Sequence, residues 1–489
     1  MPPPAGVRAD DPDADPNADP QDGDDPARVG LRRNVDGEPQ VDAAMLRDGI
    51  VETGEPTSVP TDGETPVLQP DSRSAADAEA FERPPAGYDA VAFQIEALDP
   101  ILDRRPTRLA RFEPYDPVGI RKGSWLIFPE IEIGAGWTSN LFRSPVRTSA
   151  TFFDVRPTVR AITNWRVHAI ELKATGLASA FMDNASENDR AYAVEARGRI
   201  DLDKRTSLEM LASNQRDQDT RSSRDFPGAA AERGDIVTTR AAIALNHRFN
   251  RLSVQLRGGV TDQDYLPVEA VGGGIIENRQ RDVLIREAAA RATWEFKPTL
   301  FAFTEVARLD RAYKEVPADG ISRDSQGLRT RVGVAFGNTG RIWRGEVSIG
   351  HGTQRPDDAR IAETQALLLD ANLAWRMSEL TSLLFTAKTD LIDSTTAGQS
   401  GYVSRQVGLE ARHAFQRYLL GTAGVQHTTA DYKGSDLVER ETIGSLGVEY
   451  YASSTLSFTG RYQHIWFDST GANRDYTVDT IRFGARWRQ

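Results

Sequence analysis

The sequence predicts an all-β fold: a transmembrane antiparallel β-barrel of about 18 strands, preceded by a disordered acidic extension. Three observations predict it. Apolar and polar residues alternate with period two from about Trp125 to the end of the chain. The connections between the alternating runs are by turns short and long, as in outer-membrane barrels. Mean hydropathy is only −0.48, and no apolar run approaches the roughly 18–20 residues of a spanning helix. A barrel escapes that last test, because every second residue of a strand faces the lumen.

The last stretch shows the pattern most clearly. Ile481, Phe483, Ala485 and Trp487 share one face, and Arg482, Gly484, Arg486 and Arg488 share the other. Residues 476–488 read as a closing strand that seals against a first strand at 126–138. Closure follows from the lack of water in lipid to satisfy an open sheet edge.

Residues 1–85 read as a disordered, acidic, Pro-rich extension, 86–124 as a periplasmic lead-in, and 125–489 as the barrel. Asp-Pro pairs recur at Asp11, Asp15, Asp19 and Asp25, and residues 1–100 hold 23 acidic against 7 basic residues. Such a segment buries too little apolar surface to offset its ordering entropy. Short helices are expected around 75–81 and 91–98. The sequence opens without a charged n-region and apolar h-region, so a misplaced start or a mature form is expected. The absence of cysteine excludes disulfides, thiolate metal sites and a lipidated N-terminal cysteine.

Strands are predicted at 126–138, 152–163, 166–180, 189–202, 205–217, 235–248, 251–263, 282–296, 299–311, 325–337, 341–352, 363–376, 379–390, 402–415, 418–430, 439–451, 454–466 and 476–488. Short turns fall at Asn164-Trp165, Asp203-Lys204, Phe249-Asn250, Lys297-Pro298, Asn338-Thr339-Gly340, Met377-Ser378, Gln416-Arg417 and Ala452-Ser453. Long loops such as 218–234, 264–281 and 312–324 lie between them. The short-turn rim, both ends of the wall and the extension are expected on the periplasmic side. Aromatics beside the short turns, among them Trp165, Phe249, Trp294, Trp343, Phe415, Tyr450, Tyr451 and Trp487, predict an interfacial girdle. The strand beginning at Thr299 is ambiguous. Phe301 and Phe303 share a face with Glu305, and Leu300, Ala302 and Val306 share the other with Arg308.

A charge aimed at lipid near the midplane costs roughly 2–4 kcal/mol, so the charged faces are expected to look inward. The candidate lumen-lining residues are Arg156, Arg160, Arg197, Arg199, Arg257, Arg291, Arg329, Arg331, Arg412, Arg461, Arg482 and Arg486, with Glu195, Glu295 and Glu410. Rings of arginine favour anions, and the guanidinium fork suits carboxylates. The alternative is that these charges pair across neighbouring strands. Six scattered histidines form no metal-spaced motif, and no nucleophile motif is present. No catalytic residue, cofactor or metal is expected. Basic residues are interleaved with acids, which excludes a nucleic-acid stripe.

Taken in order, several segments resemble a known family. They are Tyr115-Asp-Pro-Val-Gly-Ile-Arg121, Phe128-Pro129, Ser139-Asn140-Leu141-Phe142-Arg143, Arg221-Ser222-Ser223, Phe249-Asn250-Arg251-Leu252-Ser253, Arg323-Asp324-Ser325 and Gly345-Glu-Val-Ser-Ile-Gly350. The family is the outer-membrane β-barrel porins associated with exopolysaccharide or capsule secretion clusters, and the resemblance covers about 115–489. One departure is the C-terminus, where Arg488 and Gln489 follow Trp487 instead of a terminal aromatic. The resemblance implies an outer-membrane location and a conduit for an acidic surface polysaccharide. The implied partners are outer-membrane lipid and lipopolysaccharide, periplasmic polysaccharide-export components and the anionic polysaccharide itself. The first rival is a general or solute-selective diffusion porin, which a narrowed lumen with inward loops would favour. An outer-membrane enzyme, a plugged structural barrel and a soluble all-β protein are further alternatives.

Overall fold

A chain in lipid must satisfy its backbone donors and acceptors internally, and this chain does so with strands laddered on both sides. The computed structural model describes Tyr115, Pro117 and residues 119–489, apart from 164, 166–167, 224, 318, 337–341 and 394–400. The acidic extension, most of the lead-in and the two expected helices lie outside the described residues. So do Asn164 and the turn expected at Asn338-Thr339-Gly340.

Eighteen strands form the wall. They are β1 (Trp125–Thr138), β2 (Ala150–Thr163), β3 (Ala169–Phe181), β4 (Asp189–Asp201), β5 (Thr206–Gln218), β6 (Asp235–Arg248), β7 (Leu252–Tyr265), β8 (Val283–Lys297) and β9 (Leu300–Tyr313). They continue as β10 (Ser325–Phe336), β11 (Trp343–Pro356), β12 (Thr364–Arg376), β13 (Thr381–Ile392), β14 (Gly401–Gln416), β15 (Leu419–Lys433), β16 (Val438–Tyr451), β17 (Leu456–Ser469) and β18 (Tyr476–Arg488). Each pairs antiparallel with its chain neighbours, and β18 pairs with β1 from Glu130↔Arg488 to Thr138↔Thr480. The barrel is therefore closed, as the alternation of the last stretch predicts. A short strand, Ile120–Lys122, extends this seam by pairing with Trp125–Ile127.

Several strands run farther than the alternation shows, by more than one residue only toward the long loops. β11 reaches Pro356, β15 reaches Lys433 and β17 reaches Ser469. Beyond the apolar band both faces of the sheet can be polar, so the ladder persists after the period-two signal fades. The pair Arg355↔Gln326 is an example.

The outward face is apolar through the middle, with Ile133, Val194, Leu256, Val332 and Leu446 exposed. The girdle beside the short turns is present in Phe249, Trp294, Trp343, Phe415, Tyr450 and Trp487, all exposed. Trp343 and Trp375 stack with centroids 5.2 Å apart. Tyr451 departs from the expectation. It is buried on the inward face and stacks on Tyr115, with centroids 5.8 Å apart. A second outward belt near the long loops, Trp137, Phe153, Tyr462 and Trp466, was not expected. Trp487 is level with Leu456, and Trp466 lies ten residues farther along β17. That interval is roughly 33 Å of strand, or about 25 Å along the membrane normal at a tilt near 40°.

Some charges face outward, against the expectation that all look into the lumen. Arg308 pairs with Asp310 at 3.0 Å, and His464 Nδ1 lies 2.5 Å from Asp479 Oδ1. Both pairs sit on the long-loop half of their strands. There the wall nears or passes the membrane interface, and the penalty for a charge falls away.

Candidate functional site

The functional surface of a closed barrel is its inner wall, and period-two alternation decides what stands there. On β18 that face carries Tyr476, Val478, Arg482, Arg486 and Arg488, all buried, while Ile481, Phe483 and Trp487 are exposed to lipid. All fifteen candidate residues fall on the inward parity of their strands. The charges among them are engaged rather than free.

Three networks organise the wall. At the seam, Arg482 donates to Glu132 and to Asp154, its Nη2 lying 2.7 Å from Oδ1. Arg486, 1% exposed, reaches Glu132 at 2.6 Å, Glu449 at 2.9 Å and Glu130 at 3.2 Å. One guanidinium thus ties β16, β18 and β1 together. Gly134 and Gly484 face each other across this seam. A Cβ on Gly484 would lie 2.6 Å from Glu132 Oε1, and one on Gly134 would lie 2.5 Å from Arg482 Nη2. These glycines leave the room that the ion cluster fills. Arg156 joins the cluster through Asp154 at 3.2 Å.

The second network centres on Glu305 of β9, the strand whose direction the sequence left open. Glu305 faces inward and accepts from Arg331 at 2.9 Å, with Arg257 at 3.7 Å and Arg291 at 4.0 Å. Arg257 also pairs with Glu287, Arg291 with Glu346 and Arg331 with Asp370, at 2.9, 2.6 and 3.0 Å. Phe303 shares the inward face because the Arg291 guanidinium lies over its ring, 3.6 Å from the centroid. A cation above an aromatic face accounts for apolar residues beside a carboxylate.

The third network was missed, since it depends on the direction of β9 and on a loop. Arg311 pairs with Asp393 at 2.8 Å, and Arg329 approaches Asp390 at 3.5 Å. The remaining candidates pair locally. Arg160 meets Glu171, Arg197 meets Glu195, Arg199 meets Asp201, and Glu295 accepts from Arg248. Glu410 and Arg412 are buried on β14, and Arg461 is half-buried on β17.

Long loops fold over the inner wall. Arg281 lies over the Tyr265 ring and pairs with Asp219 at 2.6 Å. Arg474, between β17 and β18, donates to Ser222 O at 2.6 Å. That contact carries the β5–β6 loop across the ends of β1–β4. Among the described residues no group of His, Cys, Asp and Glu is arranged to hold a metal ion.

The family described as Putative beta-barrel porin 2 matches residues 113–489. The chain belongs to this family of β-barrel porins. It is an outer-membrane protein, as the closed barrel and its girdles imply. Comparison with curated protein sequences finds no match. Among solved structures, the chain is similar to the outer membrane protein opdK from Pseudomonas aeruginosa, at 13% identity and a TM-score of 0.39, over 74% of this chain and 98% of that one. It is also similar to a BenF-like porin from Pseudomonas fluorescens Pf-5, at 10% identity and 0.41, over 74% and 99%. OccK2 (OpdF) from Pseudomonas aeruginosa gives 12% and 0.41, over 74% and 97%. Likeness this distant is no guide to solute.

Proposed function

We propose that the protein is a solute-selective diffusion porin with a narrowed lumen. The observation that carries this reading is the burial of the inner-wall arginines. Arg257, Arg291, Arg329 and Arg486 are 5%, 4%, 3% and 1% exposed. Guanidinium groups lining a wide aqueous bore would be wetted; here side chains of other strands cover them. A hydrated polysaccharide needs a wide path, so the inward packing supports the solute reading over the export conduit implied by the family resemblance.

The paired wall has a second consequence. Arginines matched to carboxylates contribute little net field, so simple ions are weakly discriminated. In this proposal, anion preference arises where a cation lacks a carboxylate partner, not from the number of arginines.

The test is swelling of liposomes that hold the purified full chain, challenged with sugars of increasing length. Mono- and disaccharides are expected to enter, with a sharp fall for longer oligosaccharides. Equal entry of long oligosaccharides would favour the export conduit. No entry of any sugar would favour a plugged structural barrel.

A further inference from the structure

The cation Arg143 stands outside the three networks and the local pairs. Arg143 lies in the loop between β1 and β2, with its backbone in the left-handed region at φ 49. This conformation is uncommon for a residue other than glycine. Asn140, 1% exposed, fixes the turn. Its Nδ2 donates to Ser144 O at 2.7 Å and to Thr477 O of β18 at 3.2 Å, and its carbonyl accepts from Arg143 N at 3.3 Å. The loop is thereby pinned to the wall, and Arg143 borders a recess of about 200 Å³ at the long-loop end of the lumen.

The charges around this recess cancel in number. Four arginines, Arg143, Arg156, Arg221 and Arg233, line it with three carboxylates, Glu187, Asp189 and Glu441, and Asp154 behind Arg156 is a fourth. Arg221 pairs with Glu187 at 2.6 Å, Arg233 with Asp189 at 2.9 Å and Arg156 with Asp154 at 3.2 Å. Arg143 has no side-chain hydrogen bond or ion pair among the described residues. Much of the remaining lining is apolar: Phe142, Phe152, Leu177, Ile443, Ile465 and Val478. The recess therefore offers one guanidinium without an ion pair, beside an apolar wall.

We propose that this recess binds a small organic monoanion, with its carboxylate or equivalent group on Arg143 and its apolar body against Phe142 and the inner faces of β16–β18. A guanidinium takes a carboxylate with two parallel hydrogen bonds. The body of the ligand covers the half-buried Phe142. A second negative charge would meet Glu187, Asp189 and Glu441, so dianions bind more weakly. This assignment rests on the porin reading only in that the recess faces the path of solutes.

The test is calorimetric titration of the full chain, folded in detergent, with hexanoate, hexanol and adipate. Folding of each variant is verified by heat-modifiable gel mobility. Hexanoate is expected to bind at least tenfold more tightly than the other two. Arg143→Gln removes that margin, while Arg308→Gln, on the outward face, keeps it. Equal binding of hexanoate and hexanol, or unchanged hexanoate binding in the R143Q protein, would overturn the proposal. The same loss in the R308Q protein would overturn it too. Conductance separates the two readings: R143Q channels that still conduct but bind no hexanoate support the site. Wild-type protein that binds hexanoate yet forms no channel supports the site and counts against the porin reading.

Discussion

Arg486 and Glu305 show how single side chains shape the barrel from inside. Arg486 joins three carboxylates on β16 and β1 from its place on β18. Removing it leaves Glu130 and Glu449 short of this cation and Glu132 held by Arg482 alone, and breaking a buried pair costs roughly 3–5 kcal/mol in comparable cases. Arg486→Ala is expected to lower the denaturant midpoint of the folded barrel by an amount of that order. Double substitution with Glu132→Gln should recover part of the loss. Glu305 acts on charge rather than closure. Glu305→Gln leaves Arg257, Arg291 and Arg331 short of one carboxylate. Reversal potentials in a salt gradient should then shift toward anion preference, whereas Arg331→Gln should shift them the other way. The inward position of Arg486 was legible from alternation alone. Its pairing with Glu130, Glu132 and Glu449 was not legible, since pairing across strands depends on register. Arg143 was visible only as part of a loop segment, because no periodicity governs a loop.

At the level of elements, the strands carried the clearest signal and the turns the next. Eighteen alternating runs gave the strand order, with edges short by up to four residues where polar ladders continue past the membrane. β9 was unreadable because Phe301 and Phe303 face inward with Glu305, and only the guanidinium of Arg291 over Phe303 explains it. The outward face of β16 supplies a test of direction. Leu446→Arg places a charge toward lipid and is expected to cost about 2–4 kcal/mol. Ser445→Arg, one residue away and inward, should cost much less in the same denaturant titration. The β4–β5 turn supplies a pH test. The Asp203 side chain accepts from the backbone N–H groups of Arg205 and Thr206, at 2.6 and 2.9 Å, and from the Thr206 hydroxyl at 2.8 Å. The Arg205 N–H contributes most to holding its carboxyl below the usual aspartate range. A depressed carboxyl stabilises the fold above the unfolded-state value, and the gain is lost as pH falls through the folded one. Asp203→Asn should flatten that part of the stability profile between neutral and acid pH. An unchanged slope would remove the turn from the account.

For the whole molecule, closure, strand number and membrane placement follow from a single pattern repeated eighteen times. The bore does not. Alternation says which side chains point inward, but not whether they stand apart as rings or pack over one another. That depends on pairs between strands not adjacent in the wall, such as Arg291–Glu346 and Arg311–Asp393, and on loops such as 219–234 that fold across the mouth. The central claim is a closed, conducting barrel narrowed by its own ion pairs. It is tested most directly by single-channel recording of the purified full chain in planar bilayers, with long-chain oligosaccharide added to either side. The account predicts steady, low-conductance channels whose current the oligosaccharide leaves unchanged, because it cannot enter. Large conductances interrupted by oligosaccharide entry would contradict it.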